Sequence, residues 1–385
     1  MPAIDLKPLE LATATIFGPP GDASPVPAAS PRLTPLEAME RAVVPALTRP
    51  PCVVTFSGGR DSSIVLAVAA RVARREGLPP PVPATLTFKG IKTAEESSWQ
   101  ELVIRHLDLD EWIKRDVTTD LDIVGPLATG VLQRHGVLWP LNVYVHQALI
   151  HHARGGSLMT GMHGDTVFGG GRWLAANQVL TGRRRPTLRD GTRIAFAVAP
   201  QWMRRRVFHH RAREVPWLQT AGQQDFRREL ARAQASEPRR WDHWITWFAR
   251  HRSLQLAWQS MTALTRDVDA LLVQPLVEPG VLAALRDTGR RRGIGDRTNL
   301  MRSLFQPLLP DVVLARPDKA LFGPAFRGEP SQAFARDWHG DGVDARLVDP
   351  EALKRQWQSV SMDFRSALLM QAAWLELHGR RGTGG

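Results

Sequence analysis

Cysteine is almost missing from these 385 residues. A single one, Cys52, excludes a disulfide framework and any cysteine-based metal cluster. Lysine is nearly as scarce, with only Lys7, Lys89, Lys92, Lys114, Lys319 and Lys354, so arginine supplies almost all the cations behind a net charge of +12. No apolar run of about eighteen residues occurs, and the first thirty or so residues lack a basic start followed by an apolar core. Neither a membrane span nor a secretory leader is therefore expected, and the expected location is cytoplasmic. What is present, 43% hydrophobic and 23% charged residues, suits a globular chain able to bury a large core as one domain or two lobes.

The positive charge is clustered at Arg183-Arg184-Arg185, Arg204-Arg205-Arg206 and Arg290-Arg291-Arg292, and an RNA-binding footprint would look similar. Alanine, arginine, glycine and proline are abundant together, however, which is a bias of the coding sequence as much as of function. The surplus is read as that bias, or as steering for an acidic peptide or carrier, and nucleic acid is not expected as the partner. Residues 1–33 are rich in proline and alanine and read as a loose arm. Thr34-Pro35-Leu-Glu37 then opens a helix, with a threonine cap and a proline at the first helical position.

The most informative stretch is Cys52-Val-Val-Thr-Phe-Ser57-Gly58-Gly59-Arg60-Asp61-Ser62-Ser63. A short apolar β-rich run leads into a glycine turn, and Ile64 to Ala73 is an almost unbroken apolar helix former. Such a strand-to-helix turn binds anions. Gly58 and Gly59 let the main chain approach phosphate, Ser57, Ser62 and Ser63 add hydroxyl donors, and the helix N-terminus adds partial positive charge. Asp61 makes little sense beside phosphate alone, but it suits Mg²⁺ bridging phosphate oxygens. The segment is neither a Walker loop, since no Gly-Lys-Ser/Thr follows, nor a G-x-G-x-x-G dinucleotide turn.

SGGRDSS resembles the pyrophosphate loop of the N-type ATP pyrophosphatases, which cleave ATP between its α and β phosphates. A second strand-to-turn segment, Ser157-Leu-Met-Thr160-Gly161-Met162-His163-Gly164-Asp165-Thr-Val-Phe168-Gly169-Gly170-Gly171, resembles the SGEGGDELFGGY segment of asparagine synthetases, β-lactam synthetases and lasso-peptide macrolactam synthetases. The resemblance implies that Asp61 and Asp165 together hold Mg²⁺ and pyrophosphate, with Gly161 and Gly164 among the nucleotide-binding positions. A third segment, Leu309-Pro310 through Arg316-Pro-Asp318-Lys319-Ala-Leu-Phe322, is similar to the family's LLP…R-x-x-K-x-x-F run. It implies that Lys319 contacts the ATP α-phosphate, and a lysine in so arginine-biased a chain fits a site wanting a compact point charge. Gln274-Pro275-Leu-Val-Glu278 resembles the family's P-F-L-D segment. Thr85, Leu86, Thr87 and Phe88 fall where the family's second strand contacts adenine, which implies an adenine site formed by their backbone.

The resemblance implies an α/β fold, a parallel sheet flanked by helices of the adenine nucleotide alpha-hydrolase-like kind, with ATP and Mg²⁺ as cofactors. The alternation of strand and helix up to residue 154 independently predicts a parallel sheet with its ligand at the carboxyl edge. The expected strands are Ala84 to Phe88 and Trp112 to Val117 besides the two motif strands, with a helix from Glu95 to His106 and two helical stretches before Arg154. The expected layout is a synthetase domain over 34–375, with a nucleotide core at about 50–172, a mostly helical part at about 173–375 and a flexible tail at 376–385. Within the helical part, Leu180 to Arg193 reads as a mobile polar insertion. Trp241-x-x-Trp244-x-x-Trp247-Phe248 begins a long helix whose tryptophan stripe is read as core rather than peptide groove. His151-His152 and His209-His210 do not share a helix face and are not assigned a metal.

One departure bears on mechanism. Met162 stands where asparagine synthetases carry a glutamate that helps position or deprotonate ammonia, and a thioether cannot accept a proton at neutral pH. The chain also begins Met1-Pro2-Ala3, without the nucleophilic cysteine of a glutaminase half, so no such half is expected. The amine is then expected from the substrate itself, from free ammonia or through another subunit, with His163 as a candidate base. The expected activity is AMP-forming amide ligation: a carboxylate is adenylated and passed to an amine, with a lasso-type precursor peptide or another natural-product intermediate as substrate. The readings left open are a β-lactam synthetase-like or ammonia-using small-molecule ligase, a tRNA-modifying pyrophosphatase, and a nucleotide-binding partner without turnover.

Overall fold

The computed structural model describes residues 2–18, 26–27, 33–88, 91, 94, 96–118, 120–188, 190–316 and 322–379. Five strands, β1 (Cys52–Thr55), β2 (Val82–Phe88), β3 (Ile113–Val117), β4 (Ser157–Thr160) and β5 (Leu271–Val273), make one sheet in the order β3-β2-β1-β4-β5. Every pairing is parallel, with Val53 opposite both Val82 and Leu158. The α/β class expected from the sequence holds.

Both faces of the sheet are covered, which is why β1 and β4 are apolar without a polar face. Alternation still sorts the side chains: Cys52, Val54 and Met159 pack on one side with Leu66 and Met39, whereas Val53 and Leu158 pack on the other with Tyr144 and Met261. Cys52 is buried there, and burial pushes its thiol up to about 11, so it is an inert core residue. The helix after β1, Arg60–Glu76, buries every residue from Ser62 to Ala70 and ends at Gly77 in the left-handed region (φ +64°). The Pro35–Leu47 helix begins with the reciprocal cap written in its sequence. The Glu37 N–H donates to Thr34 Oγ1 at 3.2 Å, and the Thr34 N–H donates to Glu37 Oε2 at 2.7 Å.

Several expectations need correction. Part of the stretch read as a loose arm is packed: Pro8–Thr13 is helical, and Ile4, Ala12, Ile16 and Phe17 are buried. Glu10, fully buried, draws this segment together by accepting from the Lys7 and Phe17 N–H groups and from Arg252. The Trp217 indole also donates to the Ala12 carbonyl at 2.8 Å. Apolar residues spaced between the prolines carry that packing, which a composition reading averages away. β5 comes from within the part read as helical, so the sheet crosses the expected boundary at 172/173. Three residues are too few to show a period.

The second helical stretch before Arg154 is 3-10 rather than α, at Leu141–Ala148 and Ile150–Ala153. The tryptophan helix is short, Trp241–Ala249, and a separate helix follows at Arg252–Arg266. Trp241 and Trp244 are core residues, as read. Much of the insertion read as mobile is tied down. Buried Asp190 accepts from Thr187 and pairs with Arg184, and Arg183 donates to the Gly293 carbonyl. Of the expected tail, residues 376–379 complete the Ala367–Gly379 helix and 380–385 lie outside the described residues.

Candidate nucleotide cleft

Strand order reverses between β1 and β4, which neighbour each other but leave toward opposite ends of the sheet. A crevice opens at such a switch point beyond the carboxyl ends of the strands. Here it is a cavity of about 650 Å³, with Ser57, Gly59, Asp61 and Ser62 on one wall and Gly161 to Asp165 on the other.

The loop after β1 is built by its own hydroxyls. Ser57 and Ser62 Oγ lie 3.2 Å apart, the Gly59 N–H donates to Ser57 Oγ at 3.3 Å, and Ser62 Oγ donates to the Gly59 carbonyl at 3.1 Å. Gly59 caps the following 17-residue helix, whose first N–H groups lie at the cleft. Gly58 is needed on two counts. Its φ is +82°, and a Cβ there would come within 2.8 Å of Gln100 Cγ. Gly58 and Ser63 do not line the cavity. Gly58 faces the Ser97–His106 helix, and Ser63, fully buried, turns its hydroxyl back to the Gly59 carbonyl at 2.9 Å. Ser63, read from the sequence as a phosphate donor, here closes the helix's first turn with its hydroxyl, whereas Ser62 lines the cavity.

Gly161 and Gly164 let the two loops touch. A Cβ on Gly161 would lie 2.8 Å from the Ser62 nitrogen, and one on Gly164 only 2.3 Å from Asp61 Cγ. Their role in this structure is close approach of one motif to the other. That approach brings Asp61 and Asp165, about a hundred residues apart in sequence, to a common point. A single guanidinium shows it: Arg297 Nη2 donates to both Asp61 oxygens at 2.8 Å, while its Nη1 lies 2.5 Å from Asp165 Oδ1. Asp61 is mostly buried and Asp165 half-exposed, with side-chain exposures of 16% and 46%.

These acids fit a divalent ion. Hard oxygen donors are what Mg²⁺ takes, and one or two carboxylates plus phosphate oxygens and water is its usual complement. A cationic group already lies between the two carboxylates, so the position favours positive charge.

The adenine contact expected of this strand is through its backbone, and its side chains alternate in direction. Leu86 and Phe88 line the cavity, whereas the Thr87 hydroxyl points away and donates to Asp116 at 2.5 Å. Thr85 also faces away, donating to the Phe56 carbonyl at 2.7 Å.

Behind the loop, Arg316 makes a two-point pair with Glu96 at 2.6 and 2.5 Å and reaches the Gly58 carbonyl at 3.4 Å. Its guanidinium also lies 4.6 Å from the Trp99 ring centre. Lys319 lies outside the described residues, but Arg316 before it and Phe322 after it both line the cavity. Arg60, the variable residue of the first motif, donates to Thr298 Oγ1 at 3.2 Å. Burial and then the neighbouring Arg297 hold its pKa below the ordinary value.

Met162 sits in the cleft with its sulfur 3.7 Å from Gln274 Nε2. His163 takes a left-handed conformation (φ 67°), its Nε2 is buried without a partner among the described residues, and burial pushes its pKa down to about 4. His146, on the facing 3-10 helix, is lowered to about 4 by the same cause. Sequence reasoning passed over Arg297, Glu96 and His146. Arg297 follows a glycine turn, Gly293-Ile294-Gly295, but no local pattern announces that any of the three reaches the cleft.

A parallel α/β sheet with a glycine-bordered acidic pair at its switch point defines a class, and comparison defines the group within it. Residues 36–278 match the asparagine synthase family model, and the chain belongs to that family. Comparison with curated proteins gave no match. ATP-dependent amide ligation is the general activity that this membership supports. No helix among the described residues is long and apolar enough to cross a membrane.

Proposed function

We propose that this protein adenylates a substrate carboxylate and passes the acyl group to an amine, releasing pyrophosphate and then AMP. The observation that carries the reading is the convergence of Asp61 and Asp165 on one cation position, against a helix N-terminus at the carboxyl edge of the sheet. In this reading a carboxylate oxygen attacks the α-phosphorus and the bond to the β-phosphate oxygen breaks. The amine nitrogen then attacks the acyl carbon, the bond to AMP breaks and the amine gives up a proton.

The residues divide the work. Ser57, Ser62 and the amides following Gly59 hold the departing pyrophosphate, where preorganised donors are worth most. Asp61 and Asp165 hold Mg²⁺, which when bound neutralises charge on the phosphate chain. The α-phosphate contact is assigned to Lys319 by the motif it belongs to, and Arg316 and Phe322, on either side of it in the chain, line the cavity. Leu86 and Phe88 provide the apolar wall for adenine.

Met162 cannot take the amine's proton. His163 and His146 are both unprotonated at neutral pH, the form a base requires, although so low a pKa makes either a weak one. His163 remains the proposed base. Its replacement by alanine should slow amide formation while leaving adenylation intact.

A ribosomal peptide closing a macrolactam, or another natural-product acid, is the proposed substrate class, with the amine on the same molecule. It is supported by a methionine in place of the ammonia-handling glutamate and by the arginine surplus. A cytoplasmic setting follows from that reading. The test is incubation with ATP, Mg²⁺ and pools of peptides or small amino acids, followed by mass spectrometry. AMP with a peptide product lighter by one water supports the proposal. The same loss from a small acid favours a β-lactam-type ligase, and ADP formation refutes both.

A further inference from the structure

Resting on the reading of Asp61 and Asp165 as the metal-binding pair, we propose that Arg297 is a resident counter-cation of that pair. The divalent ion displaces it, and it then binds the phosphate chain of the nucleotide. Two carboxylates facing one point repel each other, and a cation between them offsets that repulsion. Arg297 supplies that cation by forking across the pair, with Nη2 2.8 Å from each Asp61 oxygen and Nη1 2.5 Å from Asp165. A guanidinium is suited to this because its planar donors can serve two carboxylates at once.

Both occupants cannot hold the same oxygens. Both Asp61 oxygens are engaged by Nη2, so an ion taking either must break a charge-assisted hydrogen bond. Arg297 is also placed to leave. It is the first residue of the helix Arg297–Phe305, whose backbone is fixed by the Asp296 cap, so the side chain alone must turn. Its buried Nε has no partner among the described residues, so the present arrangement leaves one donor unmade. Arg60 lies beside it, a second cation that disfavours any destination except an anion. The cavity that Arg297 lines is where the phosphate chain is proposed to lie.

The consequence is coupling. Without nucleotide, Arg297 competes with the ion and the acidic pair binds metal weakly. With nucleotide, the phosphates draw Arg297 off the carboxylates and the ion binds where it was. Metal and nucleotide then raise each other's affinity by the same factor, as linkage requires.

Manganese titrated into the nucleotide-free protein and followed by electron paramagnetic resonance tests this. Arg297→Gln should bind Mn²⁺ roughly ten- to a hundredfold more tightly than the wild type, and Mn²⁺ should then improve its ATP affinity much less. Arg297→Lys keeps the charge but cannot fork to both acids, and should fall between them. It serves as the variant if the glutamine form does not fold. Unchanged Mn²⁺ affinity in the variant that folds, with binding still abolished by Asp61→Asn, overturns the role of Arg297 and leaves the metal site standing. If Asp61→Asn and Asp165→Asn in the Arg297→Gln background leave Mn²⁺ binding intact, the metal-site reading itself fails.

Discussion

The cleft has two kinds of wall. On the sheet side, Phe56 to Ser62 and Gly161 to Asp165 are placed by backbone: strand ends, a helix start and glycines that admit another chain within van der Waals distance. On the helical side, Arg297 and Arg316 reach in from beyond residue 278, where the family match ends, by long side chains that neutralise acids. In the proposed function the first wall positions phosphate and metal, through backbone geometry together with the Asp61 and Asp165 carboxylates. The second sets the charge that an incoming ligand meets.

The largest expected effect separates chemistry from scaffold on the sheet side. Asp61→Asn and Asp165→Asn should each lower AMP formation about 100- to 1000-fold, with thermal stability little changed, measured once a turning-over substrate is in hand. Gly164→Ala should approach that loss without touching any polar group, because its Cβ would lie 2.3 Å from Asp61 Cγ and force the motifs apart. Its cost in stability should be about 1–3 kcal/mol by urea denaturation. An active Gly164→Ala protein would break the claim that backbone proximity builds this wall.

Glu96→Ala probes the other wall. It strands the buried Arg316 guanidinium and should destabilise the protein by about 3–5 kcal/mol, also read by urea denaturation. Replacing Glu96 and Arg316 together by apolar residues should recover much of that stability, since no lone buried charge remains. If the single change costs nothing, the helical wall is less tightly bound to the loop than its distances imply.

The smallest expected effect is a pH dependence from the cleft's far side. Burial depresses the His146 pKa from its ordinary 6.5 to about 4. Between those values the unfolded chain holds a proton that the folded protein does not, so stability falls as pH drops from 6.5 towards 4. The contribution is on the order of 2 kcal/mol after allowing for partial exposure of the ring. His146→Asn should reduce the slope of the Tm against pH profile across that window, leaving the part due to His163. An unchanged slope would contradict the burial of this histidine.

The same division explains what was legible in the sequence. Cys52 to Ser63 and Ser157 to Asp165 carry their geometry locally, as an apolar strand, a glycine turn and an acid, so both loops could be read before any fold was known. The function of their glycines was less legible. Gly58, Gly161 and Gly164 look alike as letters, yet the first supports a left-handed turn and the other two a contact between loops. Ser63 could not be told from Ser62 because the helix decides which hydroxyl faces the cleft. Arg297 was one arginine among many, and its meaning lies in the distance to two residues far away in the chain. The packed segment at Pro8–Thr13 was hidden for a related reason: its helix is short, and its partners, Arg252 and Trp217, are remote.

The central claim is geometric, and a crystal structure with Mn²⁺ and an ATP analogue bearing a methylene bridge between the α and β phosphorus atoms tests it most directly. The account predicts an anomalous manganese peak bonded to both Asp61 and Asp165, with the α and β phosphates against the loop from Ser57 to Ser62. Manganese bound away from either aspartate, or a phosphate chain lying outside that loop, would contradict it.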